Sequence, residues 1–239
     1  MPQGNILVSS ARSGTNYFLS VYSKCFPDAF VVKEIFREGG DSLPRLEELL
    51  GVGSQRILKM VENNPLRLWR NIKEACAEEE IPALAKIFYY HVEWNAPLWE
   101  NFRKNDRVIH LIRQNPFDVF LSHKVAQQTG QWQKFARDGE AAPVEPLVLD
   151  PEELSKFIER QGEHIEKTRS FFKDANFSEI YYEDIAKSTE DCVAAISKIF
   201  EIDGPKQEVK IPLKRQKSAT NQELVANYDE VAMFDKATF

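Results

Sequence analysis

Short apolar runs alternate with longer stretches of helical periodicity along most of this chain. Several runs are apolar throughout, as parallel strands are when helices cover both faces of a sheet. The stretches between them place apolar residues three and four positions apart, which gives each helix one buried stripe. This order predicts an α/β protein with a three-layer, P-loop-like fold, in which helices flank a central parallel sheet. The candidate strands are residues 5–9, 30–32, 84–89, 108–112 and 179–182.

Helix starts are marked by local signals. Asn115 and Pro116 form a typical N-cap and first-turn pair, and Ser188 precedes another apolar periodic stretch. We expect a long helix over residues 151–172 and a short one near residues 222–231.

A single domain spanning residues 1–239 is the simplest prediction for a chain of 239 residues, because length limits domain count only loosely. Residues 129–150 break the periodic pattern with glycine, proline and mixed charge, which predicts a lid or insertion beside a binding site, or a plain solvated loop. Residues 205–239 form a basic C-terminal segment that contrasts with the net charge of −6 for the whole chain.

Composition excludes several classes of function. An acidic chain gives no general reason to expect a nucleic-acid partner, and no run approaches the roughly 18 apolar residues of a membrane span. The N-terminus lacks the basic and apolar regions of a signal peptide, so we expect a cytoplasmic protein. The three cysteines are odd in number and far apart, which predicts reduced core thiols instead of a disulfide framework or metal site.

The segment that joins the first strand to the first helix suits an anion. Free N–H groups and the helix dipole favour negative charge there. Gly14 permits close backbone approach, and Arg12 adds a planar donor fork suited to phosphate or sulfate oxygens. A capped turn without a ligand is the alternative, although it leaves the Arg12 charge unused. The candidate ligand-binding residues in this segment are Arg12, Ser13, Gly14, Thr15, Asn16 and Tyr17.

A second arginine ends another predicted strand. Arg113 follows the apolar residues 108–112 and therefore lies at the carboxyl end of the strand, where open parallel sheets bind ligands. Ser122 comes about two turns into the next helix, so it reaches the same ligand only if the intervening turn folds back. A surface ion pair for Arg113 and a solvated helix position for Ser122 are the alternatives.

These motifs resemble those of the sulfotransferase superfamily. Ala-Arg-Ser-Gly-Thr-Asn at residues 11–16 is similar to its 5′-phosphosulfate loop, and the strand-Arg-x-x-Pro-helix-Ser element from Arg113 to Ser122 is similar to its 3′-phosphate element. Thr-Gly-Gln-Trp at 129–132, Tyr-Tyr-Glu-Asp at 181–184, Lys-Arg-Gln at 214–216 and Asn-Tyr-Asp-Glu at 227–230 extend the resemblance in the same order. The spacing of nine from Arg113 to Ser122 looks most like the bacterial carbohydrate and nodulation-factor type.

The resemblance implies a cofactor and a reaction. The enzyme would move the sulfuryl group of 3′-phosphoadenosine-5′-phosphosulfate (PAPS) to a hydroxyl of a small-molecule, carbohydrate or glycolipid acceptor, leaving adenosine 3′,5′-bisphosphate (PAP). No metal is required for such a transfer. Arg113 and Ser122 would bind the 3′-phosphate, and Lys214 and Arg215 could close over it; a solvated basic tail is the alternative for the last two.

The transfer also needs a general base and cations near the reacting group. Glu34 is the first candidate base, since it follows the second strand beside the loop; a surface pair with Lys33 is the alternative. His91 is the rival base because imidazole titrates near neutrality. Lys86, inside an apolar strand, is expected to contact the sulfuryl group or to pair with a nearby carboxylate. Arg12 would offset charge on the leaving side.

Two other functions stay open at this point. A P-loop-type kinase would bind ATP and Mg²⁺, but residues 9–17 lack both the first glycine and the lysine of the nucleotide-triphosphatase loop. A non-catalytic protein would bind PAP without turnover. A homodimer is possible, although no segment demands one.

Overall fold

The computed structural model describes residues 2–132, 145–205, 209–211 and 219–239. It contains a five-stranded parallel sheet in the order β2-β3-β1-β4-β5. The predicted α/β class and parallel sheet are confirmed, and every predicted strand lies within two residues of an observed one. The strands are β1 Asn5–Ser9, β2 Phe30–Val32, β3 Ala83–Phe88, β4 Arg107–Ile112 and β5 Phe177–Tyr181.

Two helices begin at the N-cap residues that the sequence predicts. The Asn115 side chain accepts from the Asp118 N–H at the start of α6, and Ser188 accepts from the Asp191 N–H at the start of α9. The predicted C-terminal helix is two short helices separated by an extended segment around Val225. The α-helices are α1 Thr15–Cys25, α2 Leu43–Leu50, α3 Ser54–Asn63, α4 Pro65–Glu78, α5 Pro97–Asn105, α6 Pro116–Thr129, α7 Pro151–Phe172, α8 Tyr182–Ile185, α9 Thr189–Phe200, α10 Asn221–Leu224 and α11 Tyr228–Val231.

Helices cover both faces of the sheet because its strands are apolar on both faces. In β1, Ile6 and Val8 join one core cluster while Leu7 joins another, as the two-residue period of a strand requires. The first cluster includes side chains of α4, α5 and α7, and the second includes side chains of α1 and α9. The sheet is therefore the middle of three layers.

A buried carboxylate stabilises the amino-terminal end of the sheet, where the parallel strands begin. Asp106 lies immediately before β4 and accepts hydrogen bonds from the Gly4 N–H (2.9 Å), Trp69 Nε1 (2.8 Å) and Asn101 Nδ2 (3.0 Å). It also pairs with Lys73 Nζ at 2.7 Å, and the two side chains are 0% and 1% exposed. Removing one partner of such a pair leaves the other charge uncompensated in the core.

Two predicted features fall partly outside the described residues. The predicted lid at 129–150 includes residues 133–144, and the basic segment at 205–239 includes residues 206–208 and 212–218, none of which the structure describes. At the far end of the first segment, Leu147 pairs with Val225 in a parallel bridge. The lid stays a prediction. In the part of the chain that is described, no helix combines the length and apolar character needed to cross a membrane.

We expect Asp106→Asn to lower the free energy of unfolding by about 3–5 kcal/mol, because Lys73 keeps its charge in the core without a counterion. Urea unfolding followed by circular dichroism measures this. The matched control is Glu100→Gln, which removes a carboxylate that is 42% exposed and pairs with Arg103 and Lys104 on α5. The control should change stability far less; equal, small losses in both variants would contradict the role of Asp106.

Candidate active site

The turn between β1 and α1 has a backbone that only certain residues tolerate. Gly14 has φ +84° and Arg12 has φ +67°, both in the left-handed region. A Cβ atom at Gly14 would lie 2.1 Å from the ring of Tyr182, so only glycine fits there. Since Gly14 is the N-cap residue of α1 and has no side chain to cap it, the first N–H groups of the helix have no side-chain acceptor from that position.

The other predicted residues of this loop take different positions. The buried Ser13 hydroxyl lies 2.8 Å from that of Ser10, and Thr15 is buried in the first turn of α1. Asn16 Oδ1 accepts a hydrogen bond from Lys86 Nζ at 3.1 Å. The Tyr17 hydroxyl donates to the Ser188 carbonyl at 3.1 Å and thus lies against the start of α9. The loop is therefore tied to β3 and to α9.

Ser122 and Arg113 are both brought to Arg12. Arg12 Nε donates to Ser122 Oγ at 3.0 Å, and Arg12 Nη1 donates to the Trp132 carbonyl at 2.6 Å. Arg113 Nη1 donates to the Arg12 carbonyl at 3.3 Å. The turn after β4 and helix α6 thus both contact Arg12.

Arg113 is 9% exposed and held from several sides. Its Nη2 donates to Asp118 Oδ2 at 2.8 Å, and its Cζ lies 5.1 Å from the centre of the Tyr182 ring. Its Nε is buried and has no hydrogen-bond partner among the described residues. Buried donors are nearly always satisfied, so a hydrogen-bond acceptor that the described residues do not supply is expected at this N–H.

The two arginines carry an electrostatic cost. Burial, and then the nearby charge of Arg113, lower the pKa of Arg12. Both effects disfavour the charged guanidinium, and an anion bound between the two groups would offset both. The cluster of Arg12, Arg113 and Ser122 therefore brings two positive charges and several hydrogen-bond donors to one place, which favours an anion there.

Lys86 and Glu34 form a second group beside the loop. Lys86 Nζ lies 2.8 Å from Glu34 Oε1, and the side chains are 1% and 23% exposed. Of the two predicted roles for Lys86, pairing with a nearby carboxylate is the one observed. Glu34 pairs with Lys86 and, at 3.8 Å, with Arg37 Nη1, and the described contacts include no pair with Lys33. Burial lowers the pKa of Lys86, while the Glu34 charge acts in the opposite direction. Asn16 connects this pair to the first turn of α1.

His91 lies close to the pair, and its ring accepts a hydrogen bond from the main chain. Its Nδ1 accepts a hydrogen bond from the Phe88 N–H at 3.2 Å, so the neutral ring carries its proton on Nε2. Burial lowers the pKa of His91 to about 4. The ring is neutral at physiological pH and presents a donor.

Residues outside the predicted set support the site. Glu183 accepts the N–H groups of Gln114 and Asn115, at 3.0 Å and 3.5 Å, and so holds the turn that follows Arg113. Tyr182 packs on Gly14 and on Arg113. Acidic residues are favoured in the first turn of a helix, so the place of Asp118 in α6 follows a local rule. Nothing in the sequence pattern points to the Tyr182 contacts. The predicted residues Lys214 and Arg215 lie outside the described part of the chain.

Comparisons with known proteins bear on the fold. No protein-family model matches the chain, and no curated protein matches it. Among solved structures, it is similar to the sulfotransferase domain from the curacin biosynthetic pathway, with a TM-score of 0.56 and 13% identity over 86% of this chain and 76% of the other. It is also similar to a sulfotransferase from Alicyclobacillus acidocaldarius, with a TM-score of 0.50 and 12% identity over 98% of this chain and 91% of the other. At these identities the similarity establishes a shared fold, and that fold is one that sulfotransferases adopt.

Proposed function

We propose that the protein is a PAPS-dependent sulfotransferase that acts on an acceptor hydroxyl. The observation that carries the proposal is the convergence of Arg12, Arg113 and Ser122 at the phosphate loop, with the Arg113 Nε buried and unpartnered among the described residues. The sequence resemblance and the shared fold agree with it.

The arrangement fits a ligand with two anionic groups. Arg113 and Ser122 would bind the 3′-phosphate, and Arg12, a residue of the loop that contacts both, can also offset the charge of the 5′ group. The N–H groups at the start of α1 would bind the 5′ side. From the sequence we add Lys214 and Arg215 to the 3′-phosphate site.

In the proposed sulfuryl transfer, a residue of this chain must accept the proton of the acceptor hydroxyl. PAPS supplies the sulfuryl group, whose sulfur forms a bond to the acceptor oxygen as its bond to the bridging phosphate oxygen breaks. Glu34 takes the proton of the acceptor hydroxyl, because it is the partly exposed carboxylate beside the loop. Lys86 holds Glu34 in place and adds positive charge near the reacting group. We assign the base to Glu34 and not to His91, because His91 Nδ1 already accepts the Phe88 N–H and burial lowers the pKa of the ring to about 4.

The acceptor would lie against exposed surface next to Glu34. Tyr90 is 58% exposed and lies within electrostatic reach of Glu34. Its ring offers a flat apolar surface beside the base. A carbohydrate or glycolipid acceptor is the class that the sequence resemblance favours.

We expect wild-type protein to bind PAP with a micromolar or lower Kd, about −8 kcal/mol, and Arg113→Ala to weaken binding by about tenfold or more, because a charged hydrogen-bond donor is lost. Isothermal titration calorimetry measures both. Arg103→Ala, which removes an arginine of similar charge from the surface of α5, should leave PAP affinity unchanged. Binding of ATP with Mg²⁺ but not PAP would instead indicate a kinase.

We expect Glu34→Gln to lower kcat by about 10²- to 10⁴-fold, as loss of a general base does, while PAP affinity stays close to that of wild type. His91→Gln should retain most of the activity. Sulfate transfer from radiolabelled PAPS to a panel of sugar and phenol acceptors measures the rates. If His91→Gln loses activity and Glu34→Gln keeps it, the roles of the two residues are reversed; a protein that binds PAP but transfers to no acceptor would support the non-catalytic alternative.

A further inference from the structure

A carboxylate lies directly against the proposed anion site. Asp118, in the first turn of α6, accepts a hydrogen bond from Arg113 Nη2 at 2.8 Å, and its side chain is 17% exposed. On charge alone, Asp118 opposes the binding of an anion, since like charges repel strongly where water is partly excluded. The contact with Arg113 must therefore provide something that offsets the repulsion.

The contact between Asp118 and Arg113 fixes the orientation of the Arg113 guanidinium. A guanidinium is a planar fork, so fixing one of its nitrogens restricts where the others point. Nη2 is fixed by Asp118, Nη1 reaches the Arg12 carbonyl, and the plane lies over Tyr182. The Nε N–H is then held buried, with no partner among the described residues. An arginine held in advance loses less side-chain freedom when the ligand binds.

We propose that Asp118 is a positioning residue for the anion site, one that strengthens the binding of the 3′-phosphate despite its negative charge. The inference rests on the proposed function, because it takes PAP as the ligand. It predicts an effect opposite in sign to that of simple electrostatics.

Asp118 is itself held by the C-terminal segment. Its backbone N–H donates to Asn115 Oδ1 at 3.0 Å, and its Oδ1 accepts from Asn221 Nδ2 at 3.2 Å. Asn221 also donates to Asp235 Oδ1 at 2.8 Å, which in turn accepts from Asn115 Nδ2 at 3.1 Å. Residues more than 100 positions apart thus fix one carboxylate, and loss of Asn221 should loosen it without changing its charge.

The test compares Asp118→Asn with wild type by calorimetric titration of PAP and of 5′-AMP, which lacks the 3′-phosphate. We expect the Kd for PAP to rise about tenfold or more, the scale of one charge-assisted hydrogen bond, while the Kd for 5′-AMP changes less than about threefold. The matched control is Glu153→Gln, which removes a negative charge that pairs with Lys124 of α6 and does not pair with Arg113. Its PAP affinity should be unchanged or slightly higher.

The outcomes separate the two proposals. Wild-type protein that binds no PAP overturns the proposed function. Wild-type protein that binds PAP, together with an Asp118→Asn variant of unchanged thermal midpoint that binds it equally or more tightly, overturns the positioning role alone. If Asp118→Asn does not fold, Asn221→Ala decides, since it keeps both charges: weaker PAP binding with unchanged 5′-AMP binding supports the role, and unchanged PAP binding overturns it.

Discussion

Two arginines of like charge meet at the carboxyl end of the sheet, and the rest of the site is arranged around them. They meet because β1 and β4 are neighbours, so the turns that follow these strands share one edge. In an open sheet, the place where successive connections depart to opposite sides is where ligands bind. Here β3 and then β2 lie on one side of β1, whereas β4 and then β5 lie on the other side. The fold itself thus creates the position that Arg12 and Arg113 occupy.

Contacts at the amino-terminal ends of β1 and β4 fix the register of these two strands. The meeting of Arg12 and Arg113 depends on that register. Asp106 binds the Gly4 N–H, and the Arg107 N–H donates to the Gly4 carbonyl, so β1 and β4 start together with Asn5 paired to Arg107. Strands are stiff and side chains alternate, so a slip of one residue would turn each strand's side chains to the other face. Asp106, at the other end of these two strands, therefore helps to set the positions of the turns that carry Arg12 and Arg113.

The strands, the helix caps at Asn115 and Ser188 and the glycine-containing turn between β1 and α1 were predictable from the sequence, because each depends on local spacing. The contact of Arg12 with Ser122 was not predicted, since it joins residues 110 positions apart. The orientation of Arg113 by Asp118, and the hydrogen bond that fixes the His91 tautomer, were not predictable, because they depend on which side chains the tertiary fold brings together. Helices α2, α3 and α5 were not predicted either; α2 and α3 each bury a single residue in an otherwise more exposed surface.

A crystal structure of the protein with PAP tests the central claim most directly. The account predicts a phosphate oxygen within hydrogen-bonding distance, about 2.7–3.2 Å, of Arg113 Nε, with Arg12 and Ser122 at the same ligand. PAP bound elsewhere, or bound at the loop while Arg113 Nε contacts no ligand atom, would contradict it.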